Sequence, residues 1–212
     1  MNGDSKSLRP IQRPVAVIVE GNDYFRLLLS QVDGPQEFEQ VQLWNFSEHG
    51  NLERFIALFK TLRGYDTVRA IGVIRDCEES RETASNGVRR SLANNQLQLP
   101  ELPGIKHDGT RALGYLLMPH DQQSGCLENA LLSAATPAQR LDCARDFLAC
   151  VNDPERNDSW RAKVQVHSLI AAARNPAWTI KESAEAGLWD FSHASLQVML
   201  TFIRDLLRLG LR

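Results

Sequence analysis

The sequence predicts an α/β protein: a mostly parallel central sheet flanked by helices, with a helical C-terminal elaboration. Three observations predict it. Short β-branched runs stand at residues 14–19 and 68–75, each followed by a stretch of helical period. Strands that alternate with helices in this way make parallel βαβ units. From about residue 127 onward the pattern is mostly helical.

Each element follows from its own pattern. Residues 1–13 read as a flexible N-terminal tail ahead of a single domain over 14–212, with 14–135 as its core and 136–212 as its helical part. Val17-Ile18-Val19, preceded by Pro14, make a buried strand. Phe25, Leu28 and Leu29 give residues 23–32 helical spacing, and residues 38–46 alternate as a half-covered strand does. Leu52, Phe55, Ile56, Phe59 and Leu62 form one helical stripe over 51–63, and Gly64 fits its C-terminal stop. The strand at 68–75 leads into a helix over 79–97. LQLPELPG is a proline-punctuated connector, and Asp108-Gly109 favours a tight hairpin turn whose second strand is 111–118. Helices are expected over 127–134, 137–151, 159–173 and 193–209, the last with Leu196, Leu200, Ile203 and Leu207 on one face.

Composition narrows the function. At 43% hydrophobic and 24% charged the chain is an ordinary globular one. It has no apolar run long enough to span a membrane and no secretory leader, so a cytoplasmic protein is expected. Cys77, Cys126, Cys143 and Cys150 have no zinc spacing and read as reduced thiols. A net charge of -2 gives no global attraction to nucleic acid, so a local patch or a metal bridge would have to supply it.

The sequence places carboxylates where strands end. Glu20 closes the first strand, and Asp76 and Glu78 close the third. In parallel sheets, sites lie beyond the C-terminal ends of the strands. In an extended segment Asp76 and Glu78 point the same way, so with Glu20 they could converge on one point. Like charges gathered there need a cation, and an oxygen-only set suits Mg²⁺ or Mn²⁺. Glu128, after MPHDQQSGC, opens a helix and is a fourth candidate. The plainer readings are helix caps and loop polarity for Glu20, Asp76 and Glu78, and a charge stabilising a helix N-terminus for Glu128.

VEG at the end of the first strand, the acid-x-acid pair and SGCLE in this order resemble the TOPRIM domain, shared by topoisomerases, bacterial primases and OLD (overcoming lysogenization defect) nucleases. MPHDQQSGCLENALL and RNPAWTIKESAEAGLWDF more closely resemble a bacterial family of small stand-alone TOPRIM-like proteins of uncharacterised function. The resemblance covers most of residues 14–192 and implies a TOPRIM-like fold holding Mg²⁺ or Mn²⁺. It implies Glu20 as general acid/base or ligand, Asp76 and Glu78 as metal ligands, Glu128 on a second ion, and Asp23, then Asp121, as further ligand candidates. The usual Asp-x-Asp is here Asp76-x-Glu78, whose longer arm still reaches a metal. Tyr24, Tyr65 and Tyr115 have no context for a topoisomerase nucleophile.

Two functions follow. One is metal-dependent cleavage of DNA or RNA, or a related phosphotransfer, since divalent ions clamp the charge on attacking and leaving oxygens. The other is a non-catalytic module that binds nucleic acid or a partner ATPase on a separate chain, for this chain has no P-loop. Convergence of Glu20, Asp76, Glu78 and Glu128 would favour the first, and splayed or salt-bridged carboxylates the second. A plain α/β domain with acidic loops is the third reading. Phosphate contacts are expected from Arg89-Arg90, Lys163, His167 and Lys181, Lys163 and His167 sharing a helix face. Trp178 and Trp189 read as core anchors, and Cys77 as incidental.

Overall fold

A computed structural model describes residues 9–136, 139–151 and 156–212. Strands β1 (Val15–Val19), β2 (Val41–Asn45), β3 (Ala70–Asp76), β4 (Gly104–His107) and β5 (Ala112–Met118) form one sheet in the order β2-β1-β3-β5-β4. All pairings are parallel except β4 with β5, the hairpin turned at Asp108-Gly109. Asp108 Oδ1 fixes that turn by accepting from the N–H groups of Thr110 and Arg111.

Alternation along the strands divides the interior into two layers. Val17, Val19, Ile74 and Leu116 face α1 (Gly21–Val32), α4 (Leu127–Ser133), α6 (Asp158–Ala171), α7 (Ile180–Glu185) and α8 (Ala194–Gly210). Ile18, Ile71, Val73 and Tyr115 face α2 (Leu52–Phe59) and α3 (Arg81–Ala93). Helix α5 (Gln139–Val151) packs on α6. Gly72 and Gly114, register partners on β3 and β5, seat α8: a Cβ at Gly72 would lie 2.2 Å from Leu206 and 2.9 Å from Phe202.

Several boundaries differ from expectation. Residues 38–46 split into a 3-10 turn (Gln36–Phe38) and β2, because Phe38 is buried as a core anchor ahead of the strand. Helix α7 was not anticipated; a Thr179–Glu182 capping box starts it. Residues 9–13 are docked, not loose. Arg9 and Arg13 donate to the carbonyls of Leu43 and Val41 on the edge strand β2, and Ile11 is buried. The rest of the expected tail, residues 1–8, lies outside the described residues, as do 137–138 at the start of the helix expected over 137–151.

Candidate functional site at the C-terminal edge of the sheet

Glu20 follows β1 directly, and Gly21, at φ 88, turns the chain into α1. Asn45 at the end of β2 pins this turn by accepting from the Gly21 N–H at 3.1 Å. The Glu20 carboxylate does not cap α1. It accepts from Arg75 Nε at 2.7 Å, each side chain being 27% exposed. Burial raises the pKa of Glu20 against the opposing pull of Arg75.

Asp76 faces the other layer. Its Oδ1 accepts from the Tyr24 hydroxyl on α1 and, at 2.8 Å, from the Leu127 N–H at the start of α4. Burial lifts its pKa from an ordinary 3.8 to about 7, against the Tyr24 bond, and the nearby charge of Glu128 adds to the rise. Tyr24 is fully buried, and burial together with Asp76 pushes its own pKa well above the usual value. The helix-cap reading of Asp76 is therefore part of the answer: it ties β3 to α1 and α4.

Glu128, in the first turn of α4, is 3% exposed, and its Oε2 is buried without a hydrogen-bond partner. A carboxylate oxygen in that position is costly unless a proton or cation meets it. Beside it, burial and the charge of Glu128 push the Cys126 thiol up to about 12. On α6, burial lowers Lys163, but Glu128, Cys126, Asp76 and Glu78 outweigh it and hold the ammonium above its usual pKa.

The expected convergence of Asp76 and Glu78 along one extended face needs correction. Strand β3 ends at Asp76, Cys77 turns into the α3 layer, and Glu78 sits at φ 55, in the left-handed region. Paired bonds with Gly125, at 2.9 and 2.7 Å, hold Glu78 there and carry the 119–125 loop against it. Glu78 is exposed yet within electrostatic range of both Glu20 and Asp76.

The remaining candidates separate. Asp23 is half-buried in the first turn of α1. Asp121 is exposed in the loop, 3.9 Å from His120. His167 is exposed one turn along from Lys163. Lys181 pairs with Glu185 at 3.6 Å on α7, which packs against α1. Trp189 is buried and donates to Ser183, and Trp178 packs against the same core.

Donor chemistry and geometry point in different directions for a divalent ion. Oxygen-only carboxylates and the orphaned Glu128 Oε2 fit Mg²⁺ or Mn²⁺. Among the described residues, however, no three His, Cys, Asp or Glu side chains are grouped closely enough to hold one as they stand. Asp76 and Glu128, with Glu78 in electrostatic range of Asp76, are the residues that would hold an ion.

Sequence reasoning missed Arg75 as the partner of Glu20, because only strand register reveals it: Val19 pairs with Ile74, which sets Glu20 beside Arg75. It missed Tyr24 as the donor to Asp76. It also missed Arg81, which clamps the 119–125 loop by donating to the carbonyls of Pro119 and Gln122. A hydroxyl four residues beyond Glu20, on the first turn of the helix, was the one available signal for Tyr24.

With this geometry in place, the chain can be compared with known proteins. It belongs to the DUF3226 family, described as a protein of unknown function, whose model matches residues 14–208. No curated protein and no solved structure matched.

Proposed function

We propose that the acids at the sheet edge hold a divalent cation, Mg²⁺ or Mn²⁺, and that this TOPRIM-like protein acts in the cytoplasm on a phosphodiester of DNA or RNA. One observation carries the reading: the buried, unpartnered Oε2 of Glu128 beside Asp76 at the C-terminal edge of a parallel sheet. Asp76, Glu128 and Glu78 would hold the ion, which when bound would polarise phosphate oxygens and acidify a coordinated water. The chain's own groups take defined parts. Tyr24 and the Leu127 N–H fix one oxygen of Asp76 and so orient the other. Arg75 holds Glu20, whose raised pKa suits acceptance of a proton from the attacking water. Lys163 stays cationic and offsets charge building on the phosphate.

The second reading is a non-catalytic module that binds nucleic acid or a partner ATPase. Two specific observations favour it: the Glu20–Arg75 ion pair and the carboxylates left ungathered among the described residues.

Calorimetry with Mn²⁺, followed by incubation with plasmid, linear DNA and structured RNA, separates the two. The expected result is Mn²⁺ binding that Glu128→Gln weakens by about tenfold or more, and cleavage that Glu20→Gln and Asp76→Asn abolish. Absence of Mn²⁺ binding at millimolar concentration removes the metal reading. Binding without cleavage, alone or with a partner ATPase, leaves the module.

A further inference from the structure

Two cavities open on the α3 side of the sheet edge, of about 820 Å³ and about 250 Å³. Arg75, Gly87 and Arg90 line both, so the two are one trough running along α3 past Glu20 and Glu78. We propose that this trough takes the sugar-phosphate backbone of a single nucleic-acid strand, with Arg75 and Arg90 contacting successive phosphates. The inference deepens the proposed function by giving the substrate strand a path on the opposite layer from Lys163.

Arg75 is prepared for this role. Its Nε is bound to Glu20, which fixes the guanidinium, and among the described residues its two terminal nitrogens make no hydrogen bond or ion pair. A guanidinium held at one nitrogen presents a planar fork to a phosphate at little further entropic cost. Its Nη1 lies 3.5 Å from where a Cβ at Gly87 would be, so the fork faces the part of α3 that lacks a side chain. Arg90, one turn beyond Gly87 on α3, is exposed, and its side chain has no ion pair or hydrogen-bond partner among the described residues. Glycine in a helix interior is unfavourable relative to any ordinary residue. Here it leaves room on α3 beside the Arg75 fork, where both cavities meet.

Dimensions agree with a strand rather than a single phosphate. From Thr83 to Arg90 the helix rises roughly 10 Å, longer than one phosphate group. Four acids, Glu20, Glu53, Glu78 and Glu79, also border the trough, and Glu20 is paired with Arg75. The attraction is therefore local to the two guanidiniums, and binding should be weak and strongly salt-dependent.

The test is fluorescence anisotropy of a short labelled single-stranded oligonucleotide against wild type, Arg90→Ala and Gly87→Leu, in Ca²⁺ and in EDTA. Gly87→Leu puts a better helix former on α3 and a side chain in the trough, so it should fold at least as well while binding falls. Wild type is expected to bind, each variant to lose about tenfold, and Arg90→Ala to flatten the salt dependence by about 0.7 in slope, the share of one single-strand phosphate. Binding equal to wild type in both correctly folded variants, or none by wild type in either buffer, overturns the trough. Mn²⁺ calorimetry is read separately. Mn²⁺ bound with unaffected variants sinks the trough and spares the metal site; oligonucleotide binding lost in the variants, with no Mn²⁺ bound, does the reverse.

Discussion

The two sides of the sheet edge treat their acids in opposite ways. On the α3 side Glu20 meets a guanidinium at 2.7 Å and keeps partial access to water. On the α1 and α4 side Asp76 meets only a hydroxyl and a backbone N–H, and Glu128 leaves one oxygen with no partner. Glu20 and Asp76 both stand at strand ends, yet strand alternation sends them to different layers. On the α3 side the Glu20 carboxylate has a bonded counter-charge in the protein itself. On the α4 side Lys163 acts only through space and Glu128 Oε2 stays unpartnered, and there a bound cation is worth most.

The largest effect that would sharpen this contrast is expected at Asp76. Its pKa is raised to about 7 in the folded protein, so between about pH 4 and 7 the unfolded chain ionises while the native state keeps its proton. Stability contributed by this group is therefore full below pH 4 and is lost as pH rises through 7. The ceiling of that loss is about 4 kcal/mol, and relaxation should leave about 1–3. Asp76→Asn keeps an oxygen for Tyr24 and Leu127, removes the titration, and should be the more stable protein at pH 8 and no better at pH 4. Denaturant melts across that range read the difference. A constant difference at every pH would mean that Asp76 is solvated and that the contrast between the two sides is false. In the wild type, Mn²⁺ affinity should rise with pH through about 7, with proton release, because the ion needs the carboxylate ionised.

A smaller effect is expected on the other side. The Glu20–Arg75 pair is partly exposed, so breaking it with Arg75→Met should cost only about 0–1 kcal/mol. Its signature lies elsewhere: without Arg75 the pKa of Glu20 should rise further, shifting the acid limb of any pH–activity profile upward. A loss of several kcal/mol would show that Arg75 holds the fold rather than the site.

How much of this was legible in the sequence follows from the period of each signal. The α/β class, the hairpin at Asp108-Gly109 and the apolar face of α8 depend on local patterns, and they stand in the structure. Glu20 and Asp76 were legible as strand-end acids for the same reason. Their partners were not, because Arg75 and Tyr24 reach them through strand register and helix packing, which no local pattern encodes. Glu78 shows the limit most clearly. The i, i+2 argument assumes extended backbone, and the chain abandons it one residue after Asp76. Helix α7 is short, so its apolar residues give too little periodicity to mark it, although Thr179 and Glu182 carry its cap.

Glu78 also supplies the smallest and sharpest test. A non-glycine residue in the left-handed region costs about 1–2 kcal/mol through its Cβ, and glycine there loses about 0.5–1 through its unfolded-state freedom. Glu78→Gly should therefore stabilise the protein by up to about 1 kcal/mol, since the two backbone bonds to Gly125 need no side chain. Glu78→Gln keeps the Cβ and should leave stability unchanged. Both remove the charge that completes the acid group, so both should weaken Mn²⁺ binding alike. Melting temperature and calorimetry on the pair separate backbone from carboxylate. A more stable Glu78→Gly with weakened Mn²⁺ binding would mean that the site keeps a strained residue for its charge, as functional positions do. A destabilised Glu78→Gly with unchanged Mn²⁺ binding would instead make Glu78 a structural clasp on the 119–125 loop, and would remove it from the acids proposed to hold the ion.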